Sequence, residues 1–480
     1  MQNNYVVNIG LEVHIQLNTK TKAFSKDEVN FHSGVNENIS AITLALPGTL
    51  PLANQVHVEK ALKLALVLGS NVSTECHFDR KHYFYPDLPK GYQITQDKNP
   101  IAVGGTFNFD SVGKSKQIRI HHMHMEEDAG KSIHDQHPDY SLIEYNRAGT
   151  PLIELVTEPD FTSGQQVFDF LASIQKLVQY LDISDGNMEE GSMRCDCNVS
   201  VRPINQQALG ERCEIKNVNS KRFAREAIAY EAERQMKLID EGVKIEKTTM
   251  LYDALKKETR PMRKKEAEND YRYFPDPDLS PIRISPEYLD KVLKSMDVLP
   301  DQLQQALVHK GLPHSQVLML CEIKWLGKNV LSFSEVEPDL VKEFGDLVCN
   351  KLYPLIERRH SSIYDIVILE NCIALLSLVQ QGLVSKSSAY QHLVPAILYQ
   401  ENRIDLMSLA TSLNLVQSNT SDSLEKTITD IIALYPDKVK EYKNGKKGLI
   451  GFFIGQIKLK EGQGIDALVV TQKLKDILDH

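Results

Sequence analysis

The chain has 480 residues, more than the roughly 250–300 at which one hydrophobic core stops growing, so two or three domains are expected. Hydrophobic residues at 42% and charged residues at 25% describe an ordinary folded protein and exclude a disordered or fibrous one. The formal charge of −9, from 55 Lys and Arg against 64 Asp and Glu, excludes a protein that coats nucleic acid nonspecifically: RNA contact must be local, and DNA is not an expected partner. The N-terminus lacks a basic segment followed by an apolar stretch, and no later window reads as a membrane span. Seven cysteines without scaffold spacing fit reduced thiols in a cytoplasmic compartment.

In chain order, β-rich runs at Tyr5–Gln16 and Gln117–Met125 alternate with stretches of helical apolar spacing at Val56–Leu68, Gln165–Leu181 and Lys221–Glu241. The strands come in clusters without regular βαβ alternation, which predicts an α+β domain and not a doubly wound sheet. The Pro- and Asp-rich run Phe274–Pro281 closes it. Ser285-Pro286 then reads as N-cap and first helical residue, and amphipathic helical segments dominate to the C-terminus, with a polar break at Gln417–Ser423. The expected domains are therefore 1–290, an all-α domain at 291–415 and a small helical tail at 416–480. The tail carries seven lysines between Lys438 and Lys460 against the single Glu441, which is either a solvated helix face or a local phosphate contact.

Four clusters carry chemistry. Glu12 and His14 project to one face of the first strand, while Leu11, Val13 and Ile15 take the other; they are either a solvent-facing pair or two groups converging on a cation. Glu126, Glu127 and Asp128 follow His121, His122 and His124, and three adjacent acids are either hydrated in a turn or offset by a divalent ion. The run Ala129-Gly130-Lys131-Ser132 mimics the end of a phosphate loop, but Met125 stands where that motif needs Gly. Glu189 and Glu190 lead into a strand with Asp196, Asn198 and Ser200 on one face and Cys195, Cys197, Val199 and Val201 on the other, the alternation of buried thiols and not of a zinc site. Glu214 and Lys216 share a face of the next strand. Acids on four strands or turns, without a Gly-rich nucleotide loop, suit Mg²⁺-held ATP, with Arg80, Lys81, Lys131, Arg194 and Lys216 as candidates to neutralise phosphate charge.

The blocks Ile9–His14, Asp79–Ile94, His124–Ser132, Asn146–Leu155, Met188–Asp196 and Asp270–Asp278, with Tyr442–Lys446 and Gly451–Gln456 in the tail, together resemble the B subunit of the heterotrimeric aspartyl/glutamyl-tRNA amidotransferases. The resemblance implies a glutamine synthetase/guanidino kinase-like cradle, a helical domain and a tRNA-gripping tail. It implies ATP- and Mg²⁺-dependent activation of the side-chain carboxylate on misacylated Glu-tRNA or Asp-tRNA, with ammonia from an amidase-type A subunit and a small C subunit joining the two. Magnesium ligands carried over from the family fall on Glu12, His14, Glu127 and Glu214, with Glu126, Glu190 and Asp196 as neighbours. Lys81 and Lys216 join the catalytic set; Arg80, Lys131, Arg194 and Asp196 would bind nucleotide, and Lys443, Lys446, Lys447 and Lys458 tRNA. Glu144, Cys213 and the sequence Gln456-Ile457-Lys458-Leu459-Lys460 depart from the family pattern, and residues 300–435 match it only loosely. The short stretch between Pro281 and Gly311 leaves no room for the domain inserted in the archaeal relative. A freestanding ligase or kinase for a small carboxylate, and a catalytically silent tRNA-binding scaffold, are the competing readings.

Overall fold

The computed structural model describes residues 4–30, 33–264, 271–354, 366–397, 403–416, 421–461 and 467–479. Asp270, which opens one sequence block, and residues 417–420 of the expected polar break lie outside these. The chain forms two compact units, Met1–Leu299 and Pro300–His480.

The first unit opens with β1 (Tyr5–Gln16), α1 (Gln55–Val67), β2 (Asn71–Val72), β3 (Glu75–Cys76), β4 (Asp79–His82) and β5 (Tyr92–Thr95). Next come β6 (Ala102–Val103), β7 (Thr106–Ser111), β8 (Lys114–Glu127), β9 (Lys131–Ile133), β10 (Leu142–Glu144) and β11 (Pro151–Thr157). It ends with α2 (Gly164–Tyr180), β12 (Met193–Pro203), β13 (Cys213–Lys216), α3 (Lys221–Asp240), β14 (Thr248–Asp253), β15 (Glu258–Lys264), β16 (Phe274–Pro275), β17 (Ile282–Arg283) and α4 (Pro286–Lys294). The helices fall within a residue of where the 3.6-residue periodicity puts them, because each start is fixed by a side-chain cap: Asn54, Ser163 and Ser220 accept backbone N–H groups at the heads of α1, α2 and α3.

The ten-stranded sheet runs β15-β14-β13-β12-β1-β11-β8-β6-β2, with β7 paired to β8. Among the described strands, only β13 and β14 pair in parallel. Strict alternation in β1 sends Ile9, Leu11, Val13 and Ile15 into one core with Leu62 of α1, Phe170 and Ile174 of α2 and Ala224 of α3. Burying these four side chains stabilises by roughly 2 kcal/mol each and fixes the register. Cys195, Cys197 and Cys213 belong to this core, and all seven cysteines are free and buried. Helices α2 and α3 approach closely at Gly164, where a Cβ would lie 2.6 Å from the Arg225 carbonyl oxygen. With helices on the apolar face, the opposite face of the central strands is left for polar side chains.

The second unit is helical. It begins with α5 (Pro300–His309), α6 (His314–Leu320), α7 (Lys324–Val336) and α8 (Val341–Leu347), and its described residues contain one isolated β-bridge, between Val384 and Val416. Toward its end, Ile428, Ile431, Tyr442, Phe453, Ile457, Val470, Leu474 and Leu478 form a separate apolar cluster among four short helices. No described helix is long and apolar enough to cross a membrane.

Candidate catalytic site on the polar sheet face

Strand register assembles the site. Glu12 lies opposite Asp196 on β12, and His14 lies opposite Arg194 on β12 and Glu154 on β11. Glu154 in turn faces His124 on β8, and Asn198 faces Glu214 on β13. Two groups of cation donors result, Glu12 with Asp196 and Glu214, and His14 with Glu126 and Glu154, the ligand atoms of each lying within 4.8 Å of one another.

In the first group Asn198 donates to Glu12 Oε1 at 2.9 Å, Thr249 Oγ1 to Glu214 Oε2 at 3.2 Å, and Lys216 Nζ spans Asp196 (2.6 Å) and Glu214 (3.0 Å). Burial pushes the Glu12 carboxyl up, and the neighbouring Glu154, Glu214 and Asp196 push it further, against the Asn198 hydrogen bond. Three converging carboxylates offer oxygen donors to a hard cation, and the all-oxygen donor set fits Mg²⁺. In the second group His14 Nε2 sits 3.4 Å from Glu126 and 3.3 Å from Glu154, and His124 Nε2 3.1 Å from Glu154. Burial opposes charging of both imidazoles, yet Glu154 and Glu126 outweigh it, raising His14 to about 9 and His124 to about 10. Glu154 resists the upward pull of burial and is held well below the usual carboxylate range by His14 and His124. A cation entering this group displaces protons, so its binding is linked to pH.

A cavity beside the first group is lined by Asn8, Gly10, Glu12, Asn198, Ser200, Gly210, Arg212 and Lys247, with a volume of about 380 Å³. A second, smaller cavity lies among Lys22, Phe24, Lys90, Glu127 and Gly149 and touches neither group fully. Of the two, only the first adjoins the first group, which it meets at Glu12 and at the Asn198 that hydrogen-bonds it.

The match of the chain to known proteins is extensive. Residues 7–290 match the family model described as the GatB/GatE catalytic domain, and residues 334–478 the one described as the GatB domain. The chain belongs to the GatB/GatE family. A relative from Bdellovibrio bacteriovorus, named as the B subunit of aspartyl/glutamyl-tRNA(Asn/Gln) amidotransferase, is 39% identical over 481 residues, covering 98% of this chain and 99% of the relative. A relative of the same name from Rickettsia bellii is 40% identical over 98% of this chain and 97% of its own length.

For a GatB/GatE family chain, the structure divides the ligand set carried over from the sequence. Glu12 and Glu214 meet with Asp196; His14 meets Glu126. Glu127 joins neither group: its Oε1 accepts the Ile94 N–H at 2.9 Å and its Oε2 pairs with Lys90. Glu190 is exposed in a turn, and Lys131 is exposed on the β9–β10 hairpin. Arg194 reaches Asp128 at 2.8 Å, and Arg80 is bound to Asp276 and Asp278, both at 2.8 Å. Lys81 lies in the small β16-β4-β5 sheet. In the tail Lys443, Lys446 and Lys447 are exposed and Lys458 partly so; Lys446 pairs with Glu441 and Lys447 with Asp479. Glu154 and His124 are absent from the carried-over set. The signal for Glu154 was a lone acid in the apolar run Leu152-Ile153-Glu154-Leu155, on the face that β1 makes polar.

Proposed function

We propose that this chain is the carboxylate-activating, tRNA-gripping B subunit of a heterotrimeric amidotransferase of the glutamine-hydrolysing carbon–nitrogen ligase class, working in the cytoplasm with an amidase-type A subunit and a small C subunit. Its substrates are ATP and Glu-tRNA(Gln) or Asp-tRNA(Asn), and its products Gln-tRNA(Gln) or Asn-tRNA(Asn). The observation that carries this is the convergence of Glu12, Asp196 and Glu214, and of His14, Glu126 and Glu154, on one sheet face beside a cavity, in a chain similar over nearly its whole length to proteins of that name.

A carboxylate cannot take ammonia directly, because oxide would have to leave; transfer of the ATP γ-phosphoryl group to it gives an acyl phosphate from which ammonia displaces phosphate. Magnesium bound at the acidic groups supplies positive charge to the phosphates and orients them. Glu12, Asp196 and Glu214 would hold it at the cavity, with His14, Glu126 and Glu154 as a further cation group. Asn198 and Thr249 fix the carboxylates, and Lys216 orients two of them by ion pairs. Lys247 and Arg212 line the cavity and can neutralise phosphate. A glutamine synthetase/guanidino kinase-like cradle over residues 1–290, a helical domain over 291–415 and a tail over 416–480 complete the reading, and the tail's own apolar cluster and exposed lysines support a tRNA contact there. Complexes bearing Glu12→Gln or Glu214→Gln, assembled with both partners, should lose ATP-dependent amide formation on misacylated tRNA by at least about a hundredfold. Unchanged turnover in folded variants would refute the assignment.

A further inference from the structure

The basic side chains around the two acidic groups differ in one respect. Arg80, Lys90, Arg194 and Lys216 are each tied to a carboxylate by an ion pair. Lys81 has none among the described residues; its neighbours are aromatic, with the Nζ 4.9 Å from the ring centre of Tyr271 and 6.0 Å from that of Tyr83. These rings meet edge to face, Tyr83 with Tyr271 at 6.2 Å and Tyr271 with Tyr273 at 6.1 Å, which fixes the enclosure as a unit.

The placement is built into the backbone. Lys81 on β4 lies opposite Gln93 on β5, and Asp79 opposite Thr95, so Lys81, Gln93 and Thr95 share a face. Gln93 Nε2 donates to Glu126 Oε2 at 3.1 Å and Thr95 Oγ1 lies 3.4 Å from the same oxygen, so this face looks toward the His14, Glu126 and Glu154 group. Tyr271 and Tyr273 flank Arg272, whose φ of +45° is in the left-handed region that a non-glycine residue enters at a cost of order 1 kcal/mol. The Tyr271 carbonyl accepts the His82 N–H at 2.9 Å, anchoring that turn to β4. Burial disfavours the Lys81 charge, but Tyr273 and the Glu126 and Glu154 carboxylates outweigh it and keep the ammonium above its ordinary range.

We propose that Tyr83 and Tyr271, with Tyr273 packed edge to face on Tyr271, are positioning residues that hold the Lys81 ammonium against aromatic faces, with no carboxylate partner among the described residues, so that it can take an oxyanion of the reacting carboxylate or phosphoryl group. An aromatic face steadies a cation through its quadrupole without cancelling the charge, whereas a carboxylate partner would have to be displaced before each turnover. This rests on the carboxylate-activating reading above.

The test is a double-mutant cycle in the complete complex with misacylated tRNA, glutamine and ATP. Tyr271→Leu should lower kcat for amide formation about tenfold, with the KM for ATP within about twofold, and Tyr271→Phe, which keeps the ring, should restore most of it. Lys81→Met should lose at least as much, and adding Tyr271→Leu to it should cost nothing further. Additive losses, an unchanged kcat in Tyr271→Leu, or equal losses in Tyr271→Leu and Tyr271→Phe would overturn the proposal. No amide from the unaltered complex would instead overturn the functional reading beneath it.

Discussion

Glu154 is the residue on which the second group turns, since its carboxylate faces both His14 and His124 while the buried Nδ1 atom of His124 finds no hydrogen-bond partner among the described residues. Replacing it by Gln keeps the shape and removes the charge that orients both rings. Glu154→Gln should therefore reduce amide formation by about 10- to 100-fold at saturating Mg²⁺ in a complex that still assembles, the range seen when partners of metal-binding side chains are lost. Steady-state turnover at several Mg²⁺ concentrations checks this, and wild-type rates throughout would remove Glu154 from the site. Glu12, His14, Asp196 and Glu214 were legible in the sequence because each breaks an apolar alternation whose other face is plainly core. The split into two groups was not, since it depends on which strands become neighbours: β1 pairs with β11 and β12, about 140 and 190 residues later in the chain.

At the scale of elements, α1 is tied to the sheet by a buried side chain. His57 shares a hydrogen bond of 2.9 Å with the Leu152 carbonyl oxygen, and burial pushes its imidazole down from 6.5 to about 4. The folded chain thus keeps His57 neutral where the unfolded chain binds a proton. The stability this gives is complete above about pH 6.5 and is lost as the pH falls toward 4, by about 1.4 kcal/mol per unit inside that window. Urea midpoints at pH 7 and pH 5 should show a steeper acid loss in the wild type than in His57→Gln; parallel losses would contradict the assignment. The contact of α2 with α3 gives a second case, where Gly164→Ala must push the added Cβ off the Arg225 carbonyl and should destabilise by about 1–3 kcal/mol. A urea midpoint within error of wild type would show that the helices shift apart freely. Helix positions could be read in advance because caps and periodicity are local signals, whereas the parallel β13–β14 pair and the small sheet around Lys81 are set by long-range pairing.

At the scale of the whole chain, the proposed catalytic face and the proposed tRNA contact fall in separate compact units, and the net negative charge requires any RNA contact to be a local basic surface. Lys446 and Lys447 are held by fully exposed ion pairs, which water and salt screen, so phosphates can compete for them, while Lys443 is exposed without an ion pair among the described residues. Lys443→Glu with Lys447→Glu should raise the KM for misacylated tRNA about tenfold, flatten its salt dependence and leave the KM for ATP unchanged. Equal changes in both constants would sink the tRNA assignment. The helical unit was legible as helical but not in its contacts, because its lysines read alike whether they meet water or phosphate.

The most direct measurement is amide formation by the complex on Glu-tRNA(Gln) and Asp-tRNA(Asn), with ATP and glutamine, comparing the wild type with Glu12→Gln and Glu214→Gln. The wild type should amidate in an ATP-dependent way and both variants should lose nearly all of that activity, with glutamine hydrolysis by the partner still measurable. Full amidation by folded variants would contradict a cation-held phosphate at this sheet face.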